Sequence, residues 1–188
     1  MKRMYLSYFL DVSTPFYGGE GTFKASSSRS MKDGDVCNAS DWSFPNHAGT
    51  HIDFPLHFVN NGKSVHDYLP DFFSFKHVGL LDVTNIGLGA IISPDLLDDH
   101  PAPESSELLL LKTGFGAHRG TDLYWQQGPV FQPELASYLR RRYPALRAVG
   151  FDTISVSSWT DRTKGREAHR AFLGADPPIL LIEDMKLE

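Results

Sequence analysis

The chain predicts one mixed domain of α/β class, or the closely related α+β class, on three observations. Its 188 residues are 41% hydrophobic, enough for one sizeable core, and they carry no linker or internal repeat that would divide it. Several short apolar runs are each closed by turn or polar residues, which is the pattern of strands. Helical periodicity is sparse and falls late in the chain.

Taken in order, Met1–Leu10 reads as a first strand. Its Tyr5–Leu10 run is too short and too aromatic for a secretory h-region, and no small-residue cleavage site follows. Residues 18–43, rich in Gly, Ser, Lys and Asp, predict a long loop with a short strand, of the kind that often serves as a lid. Val78–Thr84, Glu107–Lys112, Leu146–Phe151 and Ile179–Glu183 predict strands. Ser93, Pro94 and Asp95 supply an N-cap, a first-turn proline and an acidic first turn for a short helix. Pro133–Tyr143 places Leu135, Tyr138 and Leu139 at helical spacing. Arg140, Arg141 and Arg142 follow at its C-terminal end, where they read as a solvated helix end. Arg166–Leu173 predicts a third helix closed by Gly174.

Net charge is −5 and the pI about 5.9, which gives no support for a nucleic-acid partner. No segment approaches the ~18–20 apolar residues of a membrane span. The single Cys37 forms no internal disulfide and fits a reducing, cytoplasmic setting.

The densest chemistry lies in His47-Ala-Gly-Thr-His-Ile-Asp-Phe-Pro-Leu-His57, which holds three of the chain's eight histidines and an aspartate. Imidazole and carboxylate together suit zinc, manganese or iron(II). His47 and His51 sit four apart, yet Gly49, Thr50, Ile52 and Pro55 argue against a helix there. An extended chain is the better reading. His51, Asp53, Pro55 and His57 then share one face, and Ile52, Phe54, Leu56 and Phe58 form an apolar back. Pro55 lacks a ladder donor and predicts an edge strand, a bulge or a strand end. Gly49 allows a turn that folds His47 toward the same ion. Such a set is incomplete and invites distant ligands. His169, in the late helix, and Glu183, ending the last strand, are available, though each alone is an ordinary surface group. His66, His77, His100 and His118 have no partner pattern. Asp152 and Ser155 read as caps for backbone donors.

Residues 47–57 match H-x-G-T-H-x-D-x-P-x-H at every specified position, and the chain thereby resembles the cyclase-like metal-dependent hydrolases, the family of bacterial kynurenine formamidase and isatin hydrolase. Asp11-Val-Ser13 with Pro15, Leu110–Gly114, Gly150–Ser155, and His169–Leu173 with Glu183 resemble further family elements in order. The resemblance implies a swivelling β/β/α fold, a homodimer or larger homo-oligomer, and one or two divalent ions, zinc or manganese. It implies that His47, His51 and Asp53 hold one metal and that His169 and Glu183 complete the site or bind a second. His57 is implied as a ligand or as the general base. Family members continue beyond the position of Glu188, so the resemblance also implies a short variant, a truncated chain or a wall supplied by a partner subunit.

The ligand cluster and the resemblance together imply hydrolysis of a small-molecule amide, an aryl formamide such as N-formylkynurenine, and the resemblance alone implies a context of tryptophan catabolism. A cyclic amide, imide or lactone (isatin-like) substrate and a non-catalytic metal-binding protein are the alternatives. Phe16, Tyr17, Phe23 and Trp42 are expected to line an aryl pocket.

Overall fold

A computed structural model describes residues 4–188. Its centre is a five-stranded sheet whose strands lie side by side in the order His51–Asp53, Leu180–Glu183, Ala148–Phe151, Leu108–Lys112 and Val78–Asp82. The strands are β3 (His51–Asp53), β4 (Val78–Asp82), β6 (Leu108–Lys112), β8 (Ala148–Phe151) and β9 (Leu180–Glu183). Strands β4, β6, β8 and β9 run parallel, and β3 joins β9 antiparallel as an edge. Inner strands of parallel sheets are covered on both faces, and β8 is buried at all four positions. The four strands predicted from Val78 onward are therefore present, each shortened at one end.

Helices α1 (Pro94–Asp98), α2 (Asp122–Gln126), α3 (Glu134–Arg142) and α4 (Arg162–Leu173) accompany the sheet. The Ser93 side chain accepts from Leu96 N as the predicted cap of α1. Helix α3 buries Leu135, Ala136 and Leu139, and α4 buries Gly165, Ala168, His169, Phe172 and Leu173. These faces join Leu109, Leu111, Phe131, Phe151 and Leu181 in the main core. Two small ladders stand apart from the sheet. One is antiparallel, β1 (Lys24–Arg29) with β2 (Ala39–Ser43); the other is parallel, β5 (Ile91–Ile92) with β7 (Val130–Phe131).

Several expectations need correction. Residues 1–3 of the expected first strand lie outside the described residues. Among the described residues the remainder forms an isolated bridge, Ser7 to Met185, in place of a strand. The strand through residues 51–57 stops at Asp53, and Pro55 opens a 3-10 turn over Pro55–His57. That turn throws Leu56 outward, to 54% exposure, while Ile52, Phe54 and Phe58 do pack against the core. Arg140 is not a freely solvated cation, since its Nη2 donates to Ala171 O and Phe172 O in the last turn of α4. Helix α4 starts four residues earlier than predicted, capped by Asp161, whose side chain accepts from Lys164 N.

Candidate metal centre

Six side chains that sequence reasoning singled out converge at one end of the sheet. Cross-strand register does the first part. His51 pairs directly with Glu183, so the two project from the same face, and Asp53, two residues on, shares it. Gly49, at φ +62°, turns the chain so that His47 returns to this face. The 3-10 turn brings His57 over it. Helix α4 supplies His169 from the layer above.

The donor atoms crowd around Asp53. His47 Nδ1 lies 2.8 Å and His51 Nε2 3.3 Å from its Oδ1. His169 Nε2 lies 3.4 Å and His57 Nε2 3.9 Å from its Oδ2. Glu183 is 3.5 Å from His169 Nε2 and 3.7 Å from His51 Nε2. Donors of a tetrahedral zinc site stand about 3.3 Å apart, given bond lengths of about 2.0–2.1 Å. The observed separations cluster around that value.

Hydrogen bonding argues the same way. His47 Nδ1, His51 Nε2 and both Asp53 oxygens are buried without a well-formed hydrogen bond. Four orphaned polar atoms at one spot are costly, and a cation at their centre would satisfy all of them. Two overlapping triads meet the geometric requirement for an ion: His47, Asp53 and His57, and His51, Asp53 and Glu183. The donor set of imidazoles and carboxylates fits a divalent metal.

The ligand atoms are also held from behind. His51 Nδ1 contacts Gly49 O at 2.8 Å and His169 Nδ1 contacts Gly165 O at 2.9 Å. A ring whose Nδ1–H donates to a carbonyl presents an unprotonated Nε2 lone pair to a metal. Glu183 Oε1 accepts from Val156 N at 2.9 Å and from Ser155 Oγ at 3.1 Å. Ser155 and Asp152 both cap backbone donors as the sequence suggests, Ser155 Oγ accepting from Ser157 N at 3.1 Å and Asp152 accepting from Thr113 and Gly114; the bond from Ser155 to Glu183 is the part the sequence did not reveal.

Charge is unevenly shared. Burial opposes protonation of His51 and His169, but contacts with Asp53 and Glu183 outweigh it and raise each pKa to about 9. Burial likewise works against the charge on Asp53, yet His169, His47 and His51 hold it well below the usual carboxylate range. His57 goes the other way. Burial, with the neighbouring imidazoles, outweighs Asp53 and lowers it to about 4.

A cavity of about 290 Å³ opens over these groups. Of the four aromatic residues expected to line it, only Tyr17 does so. Phe16 and Phe23 are buried against Ala48 in a small separate core. Trp42 sits on the exposed hairpin, edge-on to Phe23. Phe58, which stacks on His169 with ring centroids 4.2 Å apart, provides apolar wall instead.

The putative cyclase family model matches residues 4–158, and the chain belongs to that family. Kynurenine formamidase of Bacillus cereus is 30% identical over 165 residues, spanning 85% of this chain and 75% of that protein. Isatin hydrolase A from Labrenzia aggregata superposes with a TM-score of 0.77 at 18% identity, covering 97% of this chain and 79% of that one. A predicted metal-dependent hydrolase from Bacillus stearothermophilus gives 0.74 at 20% identity, over 98% and 82%. The structural likenesses speak for the cyclase-like fold. The relatives and the donor cluster together support a metal-dependent hydrolase. His169 and Glu183 lie beyond the matched residues, and the sheet and α4 bring them in. Among the described residues, no helix is long and apolar enough to cross a membrane.

Proposed function

We propose that the protein hydrolyses an amide C–N bond, with an aryl formamide such as N-formylkynurenine as the substrate. The observation that carries this reading is the set of buried, unsatisfied donors on His47, His51 and Asp53 at the floor of an open cavity. His47, His51, Asp53, His169 and Glu183 are assigned to hold zinc or manganese. A divalent cation bound there supplies Lewis-acid polarisation of a carbonyl and a lowered pKa for water.

The protein's own groups do the rest. His57 lies at the cavity side of the cluster, next to where a substrate would sit. It is assigned to accept a proton from the attacking water and return it to the leaving nitrogen. The net reaction adds one water across the C–N bond, giving a carboxylic acid and an amine. Phe58, Tyr17 and Pro15 line the cavity, keep it partly apolar and suit an aryl group. Similarity to kynurenine formamidase at 30% identity favours the formamide. The fold shared with isatin hydrolase keeps a cyclic amide as the second reading.

The test is turnover of N-formylkynurenine and of isatin by protein loaded with zinc or manganese, against a chelated control. Metal-dependent formamide turnover supports the proposal, isatin turnover alone moves it to the second reading, and neither sinks it. His57→Gln should keep the metal while kcat falls by about 10²–10⁴-fold. Loss of the metal in that variant would make His57 a ligand.

A further inference from the structure

Helix α4 carries three functional positions on one stripe. Arg162, Arg166 and His169 fall at i, i+4 and i+7, which places them on the same face of a helix. Both arginines and His169 line the cavity over the candidate centre. His169 reaches the carboxylate cluster, and the two arginines stand one to two turns away, about 5–10 Å along the axis.

Both arginines are exposed to solvent at the rim of the cavity. Arg162 opens α4, and no acidic residue occupies the first turn, although cations are disfavoured at that end of a helix dipole. Lys164 pairs with Asp161 at 3.6 Å. Among the described residues, neither Arg162 nor Arg166 has a carboxylate within 4.0 Å. Arg162 is braced instead by Trp159, whose ring centroid lies 4.8 Å from its guanidinium carbon, and Trp159 packs edge-on to Tyr17 at 5.7 Å. A stacked guanidinium keeps donors in its plane for an anion, beyond the one that faces the Tyr17 hydroxyl.

We infer that Arg162 and Arg166 form a carboxylate-recognition site at the cavity mouth, and that the substrate is an amide carrying a carboxylate remote from its scissile carbonyl. The inference deepens the hydrolase reading of the same cavity and rests on it for the bond that is cleaved. The anion site confers specificity; the cluster around Asp53 performs the chemistry. An uncharged formamide of the same shape forgoes the paired hydrogen bonds and binds more weakly.

The experiment compares meta- and para-formamidobenzoate with their methyl esters, using metal-loaded wild type, R162Q/R166Q and R162K/R166K, each checked by thermal melting. Wild type should favour the acid over the ester by about tenfold or more in kcat/KM, the scale of charge-assisted hydrogen bonds. In R162Q/R166Q that ratio should collapse toward one through the KM of the acid. R162K/R166K should recover part of it, because lysine restores charge without the planar fork. No preference in wild type, or an undiminished ratio in R162Q/R166Q, overturns the inference. Should wild type turn over neither compound, turnover of N-formylkynurenine decides the formamide reading separately. The anion site is then judged by benzoate binding, followed through tryptophan fluorescence. Saturable binding weakened tenfold or more in R162Q/R166Q upholds the site, and equal binding in both proteins rejects it.

Discussion

Asp184 grips Arg119 through two hydrogen bonds of 2.8 Å, one to each carboxylate oxygen. The pair stands one residue beyond Glu183, and Asp184 adopts φ +51° to make it. Tyr124 adds a third bond, donating from its hydroxyl to Asp184 Oδ1 at 2.6 Å. Arg119 in turn lies 4.0 Å above the Tyr8 ring, and Thr50 donates to the Asp184 carbonyl. This network ties the end of β9 to the turn that carries His51. Because Asp184 is almost fully buried, removing its partner strands a charge. Arg119→Met should therefore cost about 3 kcal/mol or more, read as a lower midpoint in urea unfolding. Retention of wild-type stability would show the network to be ornamental.

Ligands and their supports should separate by magnitude. Asp53→Asn removes the group that all four histidines of the cluster approach, so metal content after dialysis should fall to background and turnover with it. Ser155→Ala removes a support of Glu183 and a cap on Ser157 N but no metal ligand, and should weaken metal affinity or activity by about 10–100-fold. Equilibrium dialysis with zinc measures both. Equal losses in the two variants would contradict the division of roles.

Protons and a cation compete for the same atoms. Without metal, His51 and His169 titrate near 9, above the value of about 6.5 for an unfolded chain. Their contribution to stability is full below about pH 6.5 and is lost as pH rises through 9. Chelated protein should therefore melt at progressively lower temperature across that window. Zinc affinity should move oppositely, tightening with pH, with protons released on binding. Calorimetry in buffers of different ionisation enthalpy counts those protons; a count of zero at pH 7 would refute the scheme.

Gly165 marks where α4 touches the loop below it. A Cβ there would meet Ser157 Oγ at 2.4 Å and Ser157 Cα at 2.6 Å, and backbone cannot swing aside. Gly165→Ala should cost about 1–3 kcal/mol despite the better helix propensity of alanine, and should disturb the 3.2 Å contact between Ser157 and His169. A stabilised variant would show that the loop yields freely.

Much of the centre was legible because period-two alternation and a dense histidine cluster are local signals. His47, His51, Asp53 and His57 needed only the segment that contains them. His169 and Glu183 were nominated through family likeness; their convergence depends on the β3–β9 register, which no local pattern encodes. The Asp184–Arg119 pair escaped notice for a related reason, since its members are 65 residues apart and each resembles a common surface charge. Propensity failed at Tyr5–Leu10, where a strand-like run has only one bridge to make. It also failed at Leu56, where Pro55 ends the alternation early.

Strand β9 lies between β3 and β8, and that placement has a kinetic corollary. His51 and Glu183 are cross-strand neighbours with well over a hundred residues of chain between them, so they meet only after that long loop has closed. The parallel strands β4, β6 and β8 can associate first, whereas the edge built by β3 waits for β9 to be laid down. Long-range pairings of this kind come late and slowly. A folding chain would therefore expose the histidine-rich segment before its carboxylate partner arrives, and a refolding trace should show sheet signal growing in ahead of cation capture.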